Sequence, residues 1–278
     1  MRTLYSALIF MTLGGCASFS KLAQKSAQYL PQELFLLRLV LNQGDEIHYN
    51  VQSTTKNTLE FLGQTQSFDV RTDMDLRMRV EKVEDDGYTI SFSIEKAQGT
   101  ISTLQGMRPI PGIGEIVGKP IEVKISKHGE VLHLGGIDEM KGVSDFVAQV
   151  AGLFLFIPTN PVKIGDVWSK ISGNNGTRGD YTFTLKGVRS LPDKRIGIIE
   201  ERGIVKVVKK QGLGIGEVDV DLSGKETSQL SVDMSSGIPL EKKISLGLEG
   251  RGTISSEGLS ENMEVKIYID NTLTIRMK

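Results

Sequence analysis

Cysteine occurs once in the 278 residues, tryptophan once and histidine three times. A single thiol excludes an intramolecular disulfide framework and any cysteine-clustered zinc or iron–sulfur site. Three scattered histidines leave little material for acid–base catalysis near neutral pH. Neither sign of charge is in excess, with 33 basic against 34 acidic side chains. That balance argues against a dedicated nucleic-acid binder, which carries a basic face. Beyond residue 13 no segment is apolar over the length a membrane-crossing helix needs. Proline is scarce at 8 residues, whereas the 31 glycines are spread along the chain. That spread implies many turns rather than one flexible linker.

The amino terminus carries the sharpest signal. Arg2 is a short positive region, Leu4 to Leu13 an apolar stretch, and Gly14-Gly15 a small-residue cleavage zone. An apolar run of this length is too short to span a bilayer and reads as a signal peptide over residues 1–15. Leu13-Gly14-Gly15-Cys16 resembles the bacterial lipobox, with cleavage after Gly15 and acyl chains on Cys16. The small residues admit the backbone to the peptidase, and only a thiol forms the thioether. The alternative is an ordinary signal peptide with a cysteine near its cleavage site. Each buried acyl CH₂ contributes about 0.8 kcal/mol, so two or three chains on Cys16 would anchor the protein stably. Residues 16–33 are polar and small and read as a tether. Ala17 and Ser18 give no aspartate signal for inner-membrane retention. The expected location is the outer membrane facing the periplasm, or the cell-surface membrane of a host with a single membrane.

From Leu34 onward the dominant period is two. Met74, Leu76, Met78 and Val80 alternate with the charged residues Asp73, Asp75, Arg77 and Arg79, and after the turn Glu84-Asp85-Asp86-Gly87 the residues Tyr88, Ile90, Phe92 and Ile94 alternate with Thr89, Ser91, Ser93 and Glu95. Such runs give strands with one apolar and one wet face, joined as a hairpin, and one wet face means antiparallel sheet. One segment departs from this. Val143, Phe146, Val147, Val150, Ala151 and Phe154 follow helical spacing, which predicts a helix over 138–156 between the cap Asp138 and Pro158. Gly44-Asp45 is echoed by Gly165-Asp166, Gly112-Ile113-Gly114-Glu115 by Gly214-Ile215-Gly216-Glu217, and the turn at Gly129 by that at Gly237, all in order. Two repeated halves, about 34–136 and 158–278, follow from this pattern. The expected fold is mainly antiparallel β with one long helix, a strongly curved sheet or open β-barrel with the helix packed in the concavity.

The glycine words do not bind phosphate. A P-loop needs glycine five positions before Gly-Lys and Ser or Thr after it. Gly118-Lys119 has Ile113 and Pro120 there, and Gly224-Lys225 has Asp219 and Glu226. Neither HExxH nor Gly-x-Ser-x-Gly occurs. The pairs Asp73/Asp75 and Asp219/Asp221 read as solvated strand faces, and the EF-hand loop pattern is absent. No catalytic residue, metal ligand or cofactor is assigned. Trp168 reads as core, and Phe146, Val150, Phe154 and Trp168 are the candidate lining of an apolar pocket.

Over Leu37 to near its end the chain resembles a family of uncharacterised bacterial lipoproteins. The resemblance rests on Leu37-Arg38-Leu39 before Gly44-Asp45 and Tyr49, on Leu62-Gly63-Gln64, and on Val80 to Gly87. It continues through Ser126–Val131, Gly136 to Met140, and Pro158 to Pro161 leading into Gly165-Asp166-Val167-Trp168. It implies the membrane anchor but no activity, substrate or catalytic residue. A curved antiparallel sheet around a helix also resembles the lipoprotein-carrier fold. The expected function is a lipid-anchored, non-enzymatic envelope protein that binds an apolar ligand or a protein partner. The alternatives are a structural or assembly lipoprotein without a small ligand, and an envelope hydrolase.

Overall fold

The structure is a computed structural model that describes residues 33–135, 153–174, 176–213, 216–255 and 263–278. Twelve strands form a single sheet: β1 (Glu46–Phe61), β2 (Gln64–Val83), β3 (Gly87–Thr103), β4 (Gly106–Pro109), β5 (Pro120–Ser126), β6 (Val131–Gly135), β7 (Val167–Asn174), β8 (Thr177–Ser190), β9 (Arg195–Leu213), β10 (Gly216–Asp233), β11 (Pro239–Ser255) and β12 (Met263–Met277). Their spatial order is β6-β5-β3-β2-β1-β12-β11-β10-β9-β8-β7, with β4 attached beside β3. Chain neighbours are mostly sheet neighbours, so short hairpins build it, and every strand pair is antiparallel. Period-two alternation sets the two faces. Tyr49, Val51, Leu76, Met78, Ile90, Phe92, Leu185, Ile199, Leu230 and Leu273 point to one inner face and are buried. Charged residues such as Arg77, Arg79 and Glu95 line the other.

Two extended straps cover the inner face at one end. The first, residues 34–42, buries Phe35, Leu37, Leu39 and Leu41 and exposes Leu34, Leu36 and Val40. The second, residues 153–163, buries Leu153, Phe154, Leu155, Ile157 and Val162. They pair with each other where Phe35 and Val162 exchange two backbone hydrogen bonds. Each is pinned to a turn of the opposite half of the sheet. The Val40 amide donates to the Ser236 carbonyl at 2.8 Å, and the Ile157 amide to the His128 carbonyl at 2.9 Å. Gly237 (φ +70°) and Gly129 (φ +75°) stand at these crossings, where a Cβ would run into the backbone carbonyls of Arg38 and Leu155. Tyr88 Oη donates to the Leu39 carbonyl at 2.7 Å, and Trp168 Nε1 to that of Phe156 at the same distance.

The strap ends enter β1 and β7 through the same turn. Asp45 Oδ2 accepts from the Asn42 amide at 2.8 Å, and Asp166 Oδ2 from the Lys163 amide at 3.0 Å. Gly44 donates to Val80 and Gly165 to Leu185, each at 2.8 Å. The β5–β6 turn approaches β7 at this end, where Lys170 Nζ lies 3.6 Å from Glu130.

The helix expected over 138–156 requires correction. Residues 138–152 lie outside the described residues, and residues 153–156 are turn or extended chain. Among the described residues there is no α-helix, only a 3-10 turn at Ile113–Ile116. Among the described residues, extended straps fill this end of the inner face. The physical reason lies in Leu153 to Ile157, which is apolar at every position. An unbroken apolar run has no period of its own and suits a buried extended segment equally well. The fold class is corrected from a sheet with one long helix to an open, all-antiparallel sheet of twelve strands.

Candidate functional site

Beyond the straps the inner face changes character row by row. Lys170, Tyr181, Gly203, Glu226, Leu246, Asn271 and Thr55 lie side by side across β7 to β12 and β1. The row nearer the straps holds Trp168, Phe183, Glu201, Ser228, Ile244, Leu273 and Ser53. Polar side chains thus stand at positions where the strand period calls for apolar ones. On the far side of this belt lies a second apolar cluster of Val205, Val207, Leu222, Leu248, Val265 and Ile267, with Leu59, Phe61 and Ile269 against it. Its members all come from strands of the sheet, and neither strap contributes.

The belt is internally bonded. Lys242 Nζ lies 2.8 Å from Glu201 Oε2, with both side chains less than 10 % exposed. Ser228 Oγ donates to the same carboxylate oxygen at 2.6 Å. Across the sheet, Asn271 Nδ2 donates to Ser53 Oγ at 3.1 Å and to Thr55 Oγ1 at 2.6 Å. These bonds offset the desolvation cost that would otherwise keep such groups out of an interior. Glu226 differs. Burial pushes its carboxyl up to about 7, against the pull of Lys242 and with the push of Glu201. Tyr181 lies across Gly203 from it, where a Cβ would approach the Tyr181 ring to 2.6 Å. Burial raises the phenol well above its ordinary range, and the charges of Glu226 and Glu201 add to this. Near neutral pH the belt therefore presents a phenol and a half-protonated carboxyl beside an apolar surface. That suits the polar end of an amphiphile, whose oxygens accept hydrogen bonds.

Of the pocket residues expected from sequence, Phe154 is buried against Phe92 at 6.4 Å between ring centroids. Trp168 stacks on Phe183 at 5.8 Å, beneath the second strap. Both pack in the strapped core, Trp168 at the end of the row nearer the straps, and neither joins the second cluster. Phe146, Val150, Gly15 and Cys16 lie outside the described residues. The structure does not gather the histidines. His48 Nδ1 meets Glu95 at 3.2 Å on the wet face, His128 sits in the β5–β6 turn and His133 on β6. Among the described residues no group of three His, Cys, Asp or Glu side chains could hold a metal ion, and no helix is long and apolar enough to cross a membrane. Sequence reading missed Glu201, Ser228, Lys242, Glu226 and Tyr181. Its available signal was the phase, since Glu201 shares the apolar phase of Ile199, Val205 and Val207.

No family model matches the sequence, and no curated protein does. Among solved structures, the chain is similar to lipovitellin, in a structure of its lipid–protein interactions, with a TM-score of 0.53 and 9 % identity. The match covers 86 % of this chain and 25 % of the other, so the chain spans about a quarter of the length of lipovitellin. An outer membrane channel from Pseudomonas putida F1 aligns over 86 % of this chain and 97 % of its own at 7 % identity, with a TM-score of 0.27. A protein of a family of unknown function from Desulfovibrio piger aligns over 82 % and 85 % at 11 % identity, with a TM-score of 0.16. At those two scores neither supports a statement about this chain. The lipovitellin match shows a shared sheet architecture.

Proposed function

We propose that the protein is a lipid-anchored envelope protein that holds an apolar or amphiphilic ligand on the inner face of its sheet, without catalysing a reaction. The observation that carries this reading is the second apolar cluster, built from strand residues alone and bordered by the Glu201–Lys242 belt. A ligand's chain would lie against Val207, Leu222, Leu248 and Ile267, with its polar end toward Tyr181 and Glu226. The lipid–protein interactions described for lipovitellin belong to that protein, and the shared sheet supports a related use here. Acyl chains on Cys16 would hold the protein at the outer membrane, facing the periplasm. The same proposal places it among the lipoproteins its Gly165-Asp166-Val167-Trp168 motif resembles.

Titration with a fluorescent fatty acid tests the ligand site. The purified protein is expected to bind the probe and to release it to bacterial phospholipid. Leu248→Phe, which fills volume without adding charge, is expected to weaken binding, and Leu222→Lys to remove it. Saturable binding that ignores both substitutions would refute the site. The anchor is tested separately: Cys16→Ser should release the protein from membranes, and continued attachment would overturn the assignment of Cys16.

A further inference from the structure

Leu62 is the one non-glycine residue with positive φ among the described residues, at +50°, and it is 82 % exposed. With Gly63 at +75° it forms the two-residue turn closing β1 on β2, where Phe61 pairs with Gln64. Turns of this kind favour Asn-Gly or Asp-Gly, because a leucine pays for the left-handed backbone. At this exposure the leucine gains little burial to offset the strain, and it holds a large apolar side chain in water. Strain of this kind at an exposed position points to use.

The next turn at the same end also holds large apolar side chains in water, without the backbone strain. Leu104, between β3 and β4, is 95 % exposed, and Met107 is 65 % exposed. Thr103 Oγ1 fixes the turn by accepting from the Gln105 amide at 3.2 Å, so Leu104 has no part in holding it. Ser102 pairs with Asp69, so this turn stops short of the β1–β2 turn, and Gln64–Phe68 of β2 bridge the step between them. Residues 61–68 and 97–107 carry no charge at all, whereas β2 becomes densely charged from Asp69 to Arg79. The second apolar cluster reaches the same end through Leu59 and Phe61.

We propose that this end of the sheet docks on a phospholipid bilayer through Leu62, Leu104 and Met107. Uncharged segments bearing protruding leucine and methionine fit the acyl–headgroup boundary of a membrane. The absence of charge over both segments removes the charge complementarity that gives a protein–protein contact its register and specificity. The contact adds to the anchor proposed at Cys16 and needs neither that anchor nor a bound ligand.

The test uses the full anchored chain in phosphatidylethanolamine–phosphatidylglycerol vesicles. An environment-sensitive dye is placed on Gln105→Cys, or on Asp85→Cys in the opposite β2–β3 turn. The dye at 105 is expected to shift to the blue and to be quenched several-fold more by lipid-borne quencher than the dye at 85. Adding Leu62→Asn and Leu104→Ser should abolish that difference while the thermal midpoint holds or rises, since asparagine relieves the turn. Water-like emission at 105 would overturn the proposal. So would quenching that survives both substitutions, or a blue shift that needs a second protein copy rather than lipid.

Discussion

Lys242→Met should be among the most damaging single substitutions on the inner face. The ammonium lies 2.8 Å from Glu201 Oε2 with both side chains nearly sealed from water, and Ser228 Oγ completes the carboxylate at 2.6 Å. Methionine keeps the stem and removes only the charge. Glu201 then remains buried with a single hydroxyl donor, a situation that costs about 3–5 kcal/mol when one partner of a buried pair is deleted. For a domain of this size that is a fall of roughly 6–20 °C in the thermal midpoint. Urea denaturation at pH 7 measures it directly, with the m-value checking that the folded state is otherwise unchanged. The double variant Glu201→Gln/Lys242→Met retains an acceptor for Ser228 and no buried charge, so it should recover most of the loss. A single-variant cost below about 1 kcal/mol, or additive costs in the double variant, would refute the pairing as the organiser of the belt.

Glu226 predicts a pH dependence of unusual sign. Its carboxyl rises from 4.5 to about 7 on folding, so the folded chain holds a proton that the unfolded one has released. This group's contribution therefore falls as pH rises from about 4.5 to about 7 and then levels off, by at most roughly 3 kcal/mol. Glu226→Gln should flatten that slope and be the more stable form at pH 8, with the two converging near pH 4.5; parallel curves from urea melts would contradict the burial of this carboxyl. The strap crossings predict a contrast among glycines with the same backbone. Gly237→Ala and Gly129→Ala, which meet a strap carbonyl, should each cost about 2–4 kcal/mol by chemical denaturation. Gly44→Ala, with open space around its Cβ position, should cost only about 1 kcal/mol. Equal losses at all three would show that the straps yield freely.

Where one face is wet and the other apolar, the strands were legible. Met74 to Val80 and Tyr88 to Ile94 form the β2–β3 hairpin around Glu84–Asp86, as their alternation requires. Two of the glycine pairs, Gly44 with Gly165 and Gly129 with Gly237, lie in comparable turns, whereas Gly114-Glu115 sits in the 3-10 turn and Gly216-Glu217 begins β10. Two things resisted a local reading. The apolar run Leu153–Ile157 carries no period, and its extended form depends on the β5–β6 turn and Trp168, both remote in sequence. The belt was missed because Glu201, Glu226 and Lys242 look like ordinary strand charges until registers across β9, β10 and β11 place them on one face. Phase along each strand would have revealed them, whereas charge alone did not.

The proposed function requires that the far half of the inner face accommodate lipid. Native mass spectrometry of the protein, extracted from its own membrane in mild detergent, tests this most directly. A population heavier by the mass of one or a few lipid molecules is expected, lost in Leu222→Lys and retained in Trp168→Phe, whose site lies under the strap. Protein that carries no lipid, and takes none up when phospholipid is added back, would contradict it.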